Sequence, residues 1–302
     1  MAKSNKQTNL AILGLLFGAM SWGVIWYPYR LLAEAGFSGV VSSFYTYFIA
    51  LIMGTVLFAK NWRSAFNLPK SVIWLSLSAG ITNLSYVLAV IDGEVMRVML
   101  LFYLSPLWTL ILARFWLKET ISNFGYLSIV IAMIGAYIML ADPLSSTSSF
   151  LPLPQNKSEW LALIAGIGFS FTNVITRKSS HLSLAAKSML VWVGVVGMSL
   201  FLLLFLDSVA QKPSFVATNI ITAGNWFMMG LIALLIMAAT LFVQYGVTQI
   251  TAARASVLFL FELIVAAIAS YYLANEAMML NEWIGGSFII AAGLIAAINH
   301  AD

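Results

Sequence analysis

Cysteine is absent from this 302-residue chain, which excludes disulfides, thiolate metal sites and cysteine nucleophiles in one step. Histidine is nearly absent. His181 and His300 fall outside the apolar runs and have no partner at metal-ligand spacing, so they read as solvated side chains. Charge is scarce as well: 9% of residues are charged and 62% hydrophobic, with a mean hydropathy of +0.96. That leaves too little polar surface to coat a water-soluble globule of this length. HExxH, the phosphate-binding GxxxxGK and a dinucleotide fingerprint are all missing, which removes zinc-protease chemistry and direct ATP drive. Gly36-Phe37-Ser38-Gly39 has the GxSG form of an intramembrane serine protease, but no span offers a histidine base to activate the hydroxyl. The expectation is therefore a chain that is not an enzyme and carries no cofactor.

What is present is a series of ten apolar runs, roughly 10–29, 38–59, 71–91, 95–116, 123–141, 159–177, 186–206, 225–246, 252–273 and 283–299. Each is close to the ~20 residues that a helix needs to cross a bilayer. The first run follows Lys3 and Lys6, is too long for a signal-peptide core and has no small-residue cleavage pattern after it, so it counts as a span. The fold class expected is an all-α polytopic membrane protein, with the lipid bilayer as its solvent. Ten spans place both termini on one side. With the N terminus in the cytoplasm, 11 of the 15 basic residues fall inside, leaving only Arg30, Arg97, Lys157 and Lys212 outside. The net charge of +4 thus reflects topology and gives no reason to expect nucleic acid as a partner, because the basic residues are scattered over short turns.

Repeats are the next signal. The stretch from Val95 to Glu119, shifted by 157 positions, falls without a gap on Ala252 to Glu276, so that Arg97 meets Arg254, Leu101 meets Leu258, Phe102 meets Phe259 and Glu119 meets Glu276. A weaker match at a shift of 150 sets Gly18 on Gly168, Val24 on Val174 and Ile25 on Ile175. Spans one to five then correspond to spans six to ten. Because five is odd, the second copy enters the membrane from the opposite side, an inverted-topology repeat. The Ser/Pro-rich stretch from Ser145 has the composition of a linker. The division expected is 1–144, a linker at 145–157, and 158–302.

Ser21-Trp22-Gly23 in the first span, Leu104, Pro106, Leu107 and Trp108 followed by Lys118-Glu119 in the fourth, and Phe259 to Leu263 (FLFEL) in the ninth appear in this order along ten spans. In that arrangement the chain resembles the EamA-type transporters of the drug/metabolite transporter superfamily. The resemblance covers essentially the whole chain. It departs at one point, since members usually have Glu-Pro where this chain has Glu262-Leu263. The resemblance implies alternating-access transport of a small organic solute across the cytoplasmic (inner) membrane, by export or exchange. It also implies a central cavity lined by spans one, three, four, six, eight and nine.

The residues carry their own arguments. Pro106 lacks an N–H and its ring crowds the carbonyl of Phe102, so the fourth span should bend or break near its middle and serve as a hinge. Glu262 is the one acid deep inside a span, and its charge there costs about 2.5–3.5 kcal/mol on insertion scales. It therefore suits a proton carrier coupling transport, a counter-charge for a substrate amine, or a neutral carboxyl locking two helices by a hydrogen bond. Trp22, Asn83, Tyr86, Tyr103, Asn173, Thr240 and Phe259 share its depth and are the candidate substrate-binding residues with it, as aromatics and amides suit an amphipathic molecule. Gln244 and Trp26 lie at a similar depth, although Trp26, Tyr27 and Tyr29 also approach the interface and suit an aromatic belt. Arg97 and Arg254, near helix starts on opposite faces, read as structural charges or gates, with Asp92 and Glu94 as the nearest partners for Arg97. Gly14 and Gly18 form a GxxxG pair expected to pack inside a monomer. A passive channel is the alternative, but no repeated pore motif or charged ring accompanies it.

Overall fold

The computed structural model describes residues 5–59, 72–117, 123–140, 154–179, 181–205, 222–249, 258–259 and 261–298. They form α1 (Asn5–Glu34), α2 (Gly39–Leu57), α3 (Val72–Asp92), α4 (Val95–Phe102), α5 (Ser105–Leu112), a π-helical turn (Ala113–Leu117) and α6 (Asn123–Leu140). After these come α7 (Lys157–Lys178), α8 (Leu184–Phe205), α9 (Ala223–Gln249), α10 (Phe261–Ala274) and α11 (Leu280–Ile298). Each falls on one of the ten apolar runs, the fourth run being α4, α5 and the π-turn together. The molecule is an all-α polytopic membrane protein, and among the described residues seven helical segments could cross a bilayer by length and composition alone. Large apolar side chains such as Val56, Phe115, Phe205, Phe227 and Tyr272 lie on the outside of the bundle, as a lipid solvent permits.

Local chemistry sets where these helices begin. Ser38 caps α2 by accepting from the Val41 N–H at 3.3 Å, which gives the GxSG serine a structural role; Gly36 before it has φ 96°. Asn156 and Glu159 form a reciprocal capping arrangement at the start of α7: Asn156 Oδ1 accepts from the Glu159 N–H at 2.9 Å, and Glu159 Oε1 accepts from Asn156 Nδ2 at 3.0 Å. Thr222 accepts from the Asn225 N–H at 3.2 Å ahead of α9. At the far end of α10, Asn275 turns through φ 55°, a conformation that asparagine tolerates, and the chain reverses into Glu276.

The extensive interfaces join a helix of the first half to one of the second. α3 packs on α7 and α8, α1 on α9 and α10, α2 on α8 and α9, the broken fourth span on α7, and α6 on α11. Glycine makes the closest approaches. A Cβ at Gly18 would lie 2.3 Å from Val243 and one at Gly14 3.2 Å from the Phe242 carbonyl, so the GxxxG pair packs against α9 within the monomer. Likewise Gly80 meets Gly194 between α3 and α8, and Gly135 meets the Gly285 carbonyl between α6 and α11, at 2.6 Å and 2.7 Å from the added atom.

Candidate functional site

The fourth span breaks at Tyr103 and Leu104. The Tyr103 N–H still reaches the Met99 carbonyl at 2.9 Å, but Leu104 tightens to the Leu101 carbonyl at 3.2 Å, and α5 starts with Pro106 in its first turn. A missing N–H costs nothing at that position, so the proline starts a second helix where the first has stopped. Helix α7 fills the gap. Ser170 Oγ donates to the Ser105 carbonyl at 2.7 Å, and Gly166 comes so close that a Cβ there would lie 2.7 Å from the Phe102 carbonyl, the group that Pro106 cannot serve.

Beside this break lies a cavity of about 130 Å³. Six of the eight candidate binding residues line it: Trp22 from α1, Asn83 and Tyr86 from α3, Asn173 from α7, Thr240 from α9 and Glu262 from α10. Tyr103 and Phe259 stand directly behind. The Tyr103 hydroxyl bonds the Phe259 carbonyl at 2.6 Å and Glu262 Oε2 at 2.7 Å, which ties the broken fourth span to the start of α10. Glu262 is 3% exposed, and its backbone carbonyl is pressed against Gly23, where an added Cβ would be 2.9 Å away. The glycine of Ser21-Trp22-Gly23 therefore lets α1 approach the backbone of Glu262 closely.

Aromatic rings make one continuous wall. Trp22 contacts Phe259 at 5.8 Å between centroids and Phe169 at 6.1 Å, Phe169 contacts Phe102 at 5.2 Å, and Phe102 contacts Tyr86 at 5.6 Å. The polar groups are mostly engaged. Asn83 Nδ2 donates to the Tyr47 hydroxyl at 2.9 Å, Tyr86 to Met99 Sδ at 3.2 Å, and Trp192 Nε1 to Thr240 at 3.3 Å. Asn83 Oδ1 and Gln244 Oε1 are buried without a partner among the described residues.

Several lining residues were not singled out from the sequence: Tyr47 on α2, Phe102 on α4, Phe169 and Thr172 on α7, and Val191 and Val195 on α8. Phe169 lies four positions before Asn173 and so shares its helix face, a signal that was available. Two expectations are overturned. Trp26 and Tyr29 are not belt residues: Trp26 is fully buried with its Nε1 on the Gly23 carbonyl at 2.9 Å, and Tyr29 lines the cavity and bonds Thr46 at 2.9 Å. Arg97 pairs with neither Asp92 nor Glu94. Its Nε lies 2.6 Å from Glu159 Oε1, because the capping arrangement of α7 holds that carboxylate against α4. Arg254 lies outside the described residues.

At the same end of the bundle Arg30 makes a second bridge. It donates from Nε to the Val90 carbonyl at 2.7 Å, from Nη2 to the Gly93 carbonyl, and from Nη1 to Glu276 Oε1 at 2.8 Å. Glu276 Oε2 in turn accepts from the Val95 N–H at 2.7 Å, capping α4, whose own Glu94 makes no side-chain cap. Lys157 and Asp92, 3.8 Å apart and well exposed, add a weaker contact.

A model of the EamA-like transporter family matches residues 9–141 and again residues 156–298. An uncharacterized transporter of Archaeoglobus fulgidus is 24% identical over 228 residues, covering 75% of this chain and 76% of that protein. A solved crystal structure superposes with a TM-score of 0.63 over 96% of both chains at 13% identity, a likeness of fold alone. With an all-helical membrane bundle, a largely apolar cavity lined by helices of both halves and family matches over both halves, the chain belongs to the EamA-like transporter family and is a membrane transporter.

Proposed function

We propose that the protein is a secondary active transporter that moves a small organic solute, such as an amino acid, a metabolite or an amphipathic drug, across the cytoplasmic membrane by alternating access, in export or exchange. Transport is coupled to protons through Glu262. The observation that carries this reading is the Tyr103–Glu262 contact beside the cavity, at the junction of the broken fourth span and α10. One phenol hydrogen faces two oxygens at bonding distance, so a hydrogen on the carboxyl completes the set. Loss of that proton changes what the Tyr103 hydroxyl can hold at the start of α10, and this links protonation to the position of α10 relative to α4.

Two further features belong to the same reading. The halves 1–144 and 158–302, joined by the linker 145–157, are an inverted repeat. The contact pattern supports it: exchanging the helices of span n with those of span n + 5 turns α1 on α9 into α7 on α3, α2 on α9 into α8 on α3, and α1 on α10 into α7 on the fourth span, while α2 on α8 and α6 on α11 map onto themselves. Both termini are cytoplasmic, which puts the Arg30–Glu276 and Arg97–Glu159 bridges at the outer end. With that end tied across both halves, the conformation described is the one closed to the outside, and the bridges are its gate.

The test uses purified protein in liposomes, with a counterflow screen of labelled amino acids, nucleosides and cationic drugs supplying the solute. A pH gradient should drive that solute uphill. Glu262→Gln should abolish the drive, while counterflow persists at solute concentrations raised to offset any weaker binding. Uphill transport by the variant at the wild-type rate would overturn the coupling role.

A further inference from the structure

The charge and hydrogen-bonding pattern of the cavity narrows the solute, on the reading that this cavity is the transport site. Among the described lining residues Glu262 is the only ionisable acid, and no lysine, arginine or histidine accompanies it. A carboxylate or phosphate on the solute would therefore enter beside a like charge with no base to neutralise it, whereas an ammonium meets its counter-charge. The neutral polar groups lean the same way. Several hydroxyl donors that could have served an anion are already engaged: Tyr86 with Met99, Tyr103 with Glu262 and the Phe259 carbonyl, Tyr29 with Thr46, and Thr82 with the Ser78 carbonyl.

Among the described residues, the buried lining atoms that lack a partner are both amide oxygens, Asn83 Oδ1 and Gln244 Oε1. Asn83 is oriented by the N–H that it gives to Tyr47, and Gln244 is 7% exposed. An unpaired buried acceptor is costly until a donor arrives. The aromatic wall supplies the remaining requirement, since ring faces attract organic cations and cover an apolar body.

We propose that the transported solute is a monocationic organic amine carrying N–H groups and an apolar body of about one ring, with the ammonium held by Glu262 and by the amide oxygens of Gln244 and Asn83, and that zwitterions and anions of the same shape are rejected. Gln244 is then a specificity-determining residue: it selects amines with N–H donors over quaternary ammonium ions, which have none to give it.

Titration calorimetry on the detergent-solubilised full chain tests this with probes that differ by one group: phenethylamine, its trimethylammonium analogue, phenethyl alcohol, phenylalanine and 3-phenylpropionate. Phenethylamine should bind at least about tenfold more tightly than phenylalanine, with no measurable binding of 3-phenylpropionate, in line with the cost of an unpaired buried charge. Glu262→Gln should bring phenethylamine down to the level of phenethyl alcohol. Gln244→Leu, which removes an unsatisfied oxygen and so leaves folding intact, should bring phenethylamine down to its trimethylammonium analogue and leave that analogue within about twofold. Equal or tighter binding of phenylalanine or 3-phenylpropionate, or no binding of phenethylamine, would overturn the assignment. Uphill, Glu262-dependent transport of an acidic solute would also overturn it and would leave the transporter reading standing.

Discussion

At the scale of single residues, the tie between Tyr103 and Glu262 is where structure meets energetics most sharply. A carboxyl that is 3% exposed and faces a cavity has Tyr103 as its one side-chain hydrogen-bond partner among the described residues. Tyr103→Phe keeps the ring packed and removes the hydroxyl from Glu262 and from the Phe259 carbonyl together. We expect it to reduce pH-gradient-driven accumulation about tenfold, the loss that follows when a hydrogen bond to an ionisable group, worth roughly 1.5–3 kcal/mol, is removed. Tyr86→Phe is the matched control. Its hydroxyl donates only to Met99 Sδ, a weak acceptor, so accumulation should stay within about twofold of wild type. Equal effects of the two variants, measured as steady-state accumulation in liposomes, would show that Tyr103 acts through packing alone. The sequence made Glu262 conspicuous because an intramembrane acid is rare and expensive. It gave no sign of Tyr103 as the partner, since the contact joins residues 159 positions apart.

At the scale of elements, the broken fourth span depends on its neighbour. Pro106 was legible as a break because its chemistry is local: no N–H and a fixed φ. The fit of α7 into the break was not legible, because Gly166 looks like any other glycine in an apolar helix until the Phe102 carbonyl is placed against it. Gly166→Ala puts a methyl 2.7 Å from that oxygen, which is backbone and cannot swing aside. The helices must separate, at a cost of about 1–3 kcal/mol typical of overpacking, and the variant should melt several degrees lower and transport more slowly. Gly197→Ala, where nothing lies within 4 Å, should melt as wild type or slightly higher, since alanine favours the helix. Light-scattering or tryptophan-fluorescence melts of the two variants make the comparison. Matching melting temperatures for Gly166→Ala and wild type would mean that the break does not need the close approach of α7.

At the scale of the whole molecule, hydropathy placed ten helices because each span carries its own signal along about 20 residues. The bridges at one end of the bundle carry no such signal. Arg30 and Glu276 are 246 positions apart, and Arg97 passes over the nearby Asp92 and Glu94 for Glu159 because the packing of α4 on α7 decides the pairing. The orientation proposed here rests on basic-residue asymmetry, and single cysteines in this cysteine-free chain can test it. Arg63→Cys and His181→Cys should react with an impermeant maleimide only from the cytoplasm, and Asp92→Cys and Ser149→Cys only from outside. Labelling of the Ser149→Cys variant from the cytoplasm would remove both the orientation and the inverted repeat. The proposal that the two ends open in turn around a fixed cavity under the control of Glu262 can be checked by distances between spin labels in the protein in liposomes. One pair, Glu34 and Trp160, reports the end where α1 finishes and α7 begins; the other, Leu57 and Thr248, reports the opposite end, where α2 and α9 finish. A change from low to high pH should lengthen one distance while shortening the other, and Glu262→Gln should hold both distributions at their low-pH form. Distances that stay unchanged with pH, or that lengthen together at both ends as a channel opening would require, would contradict it.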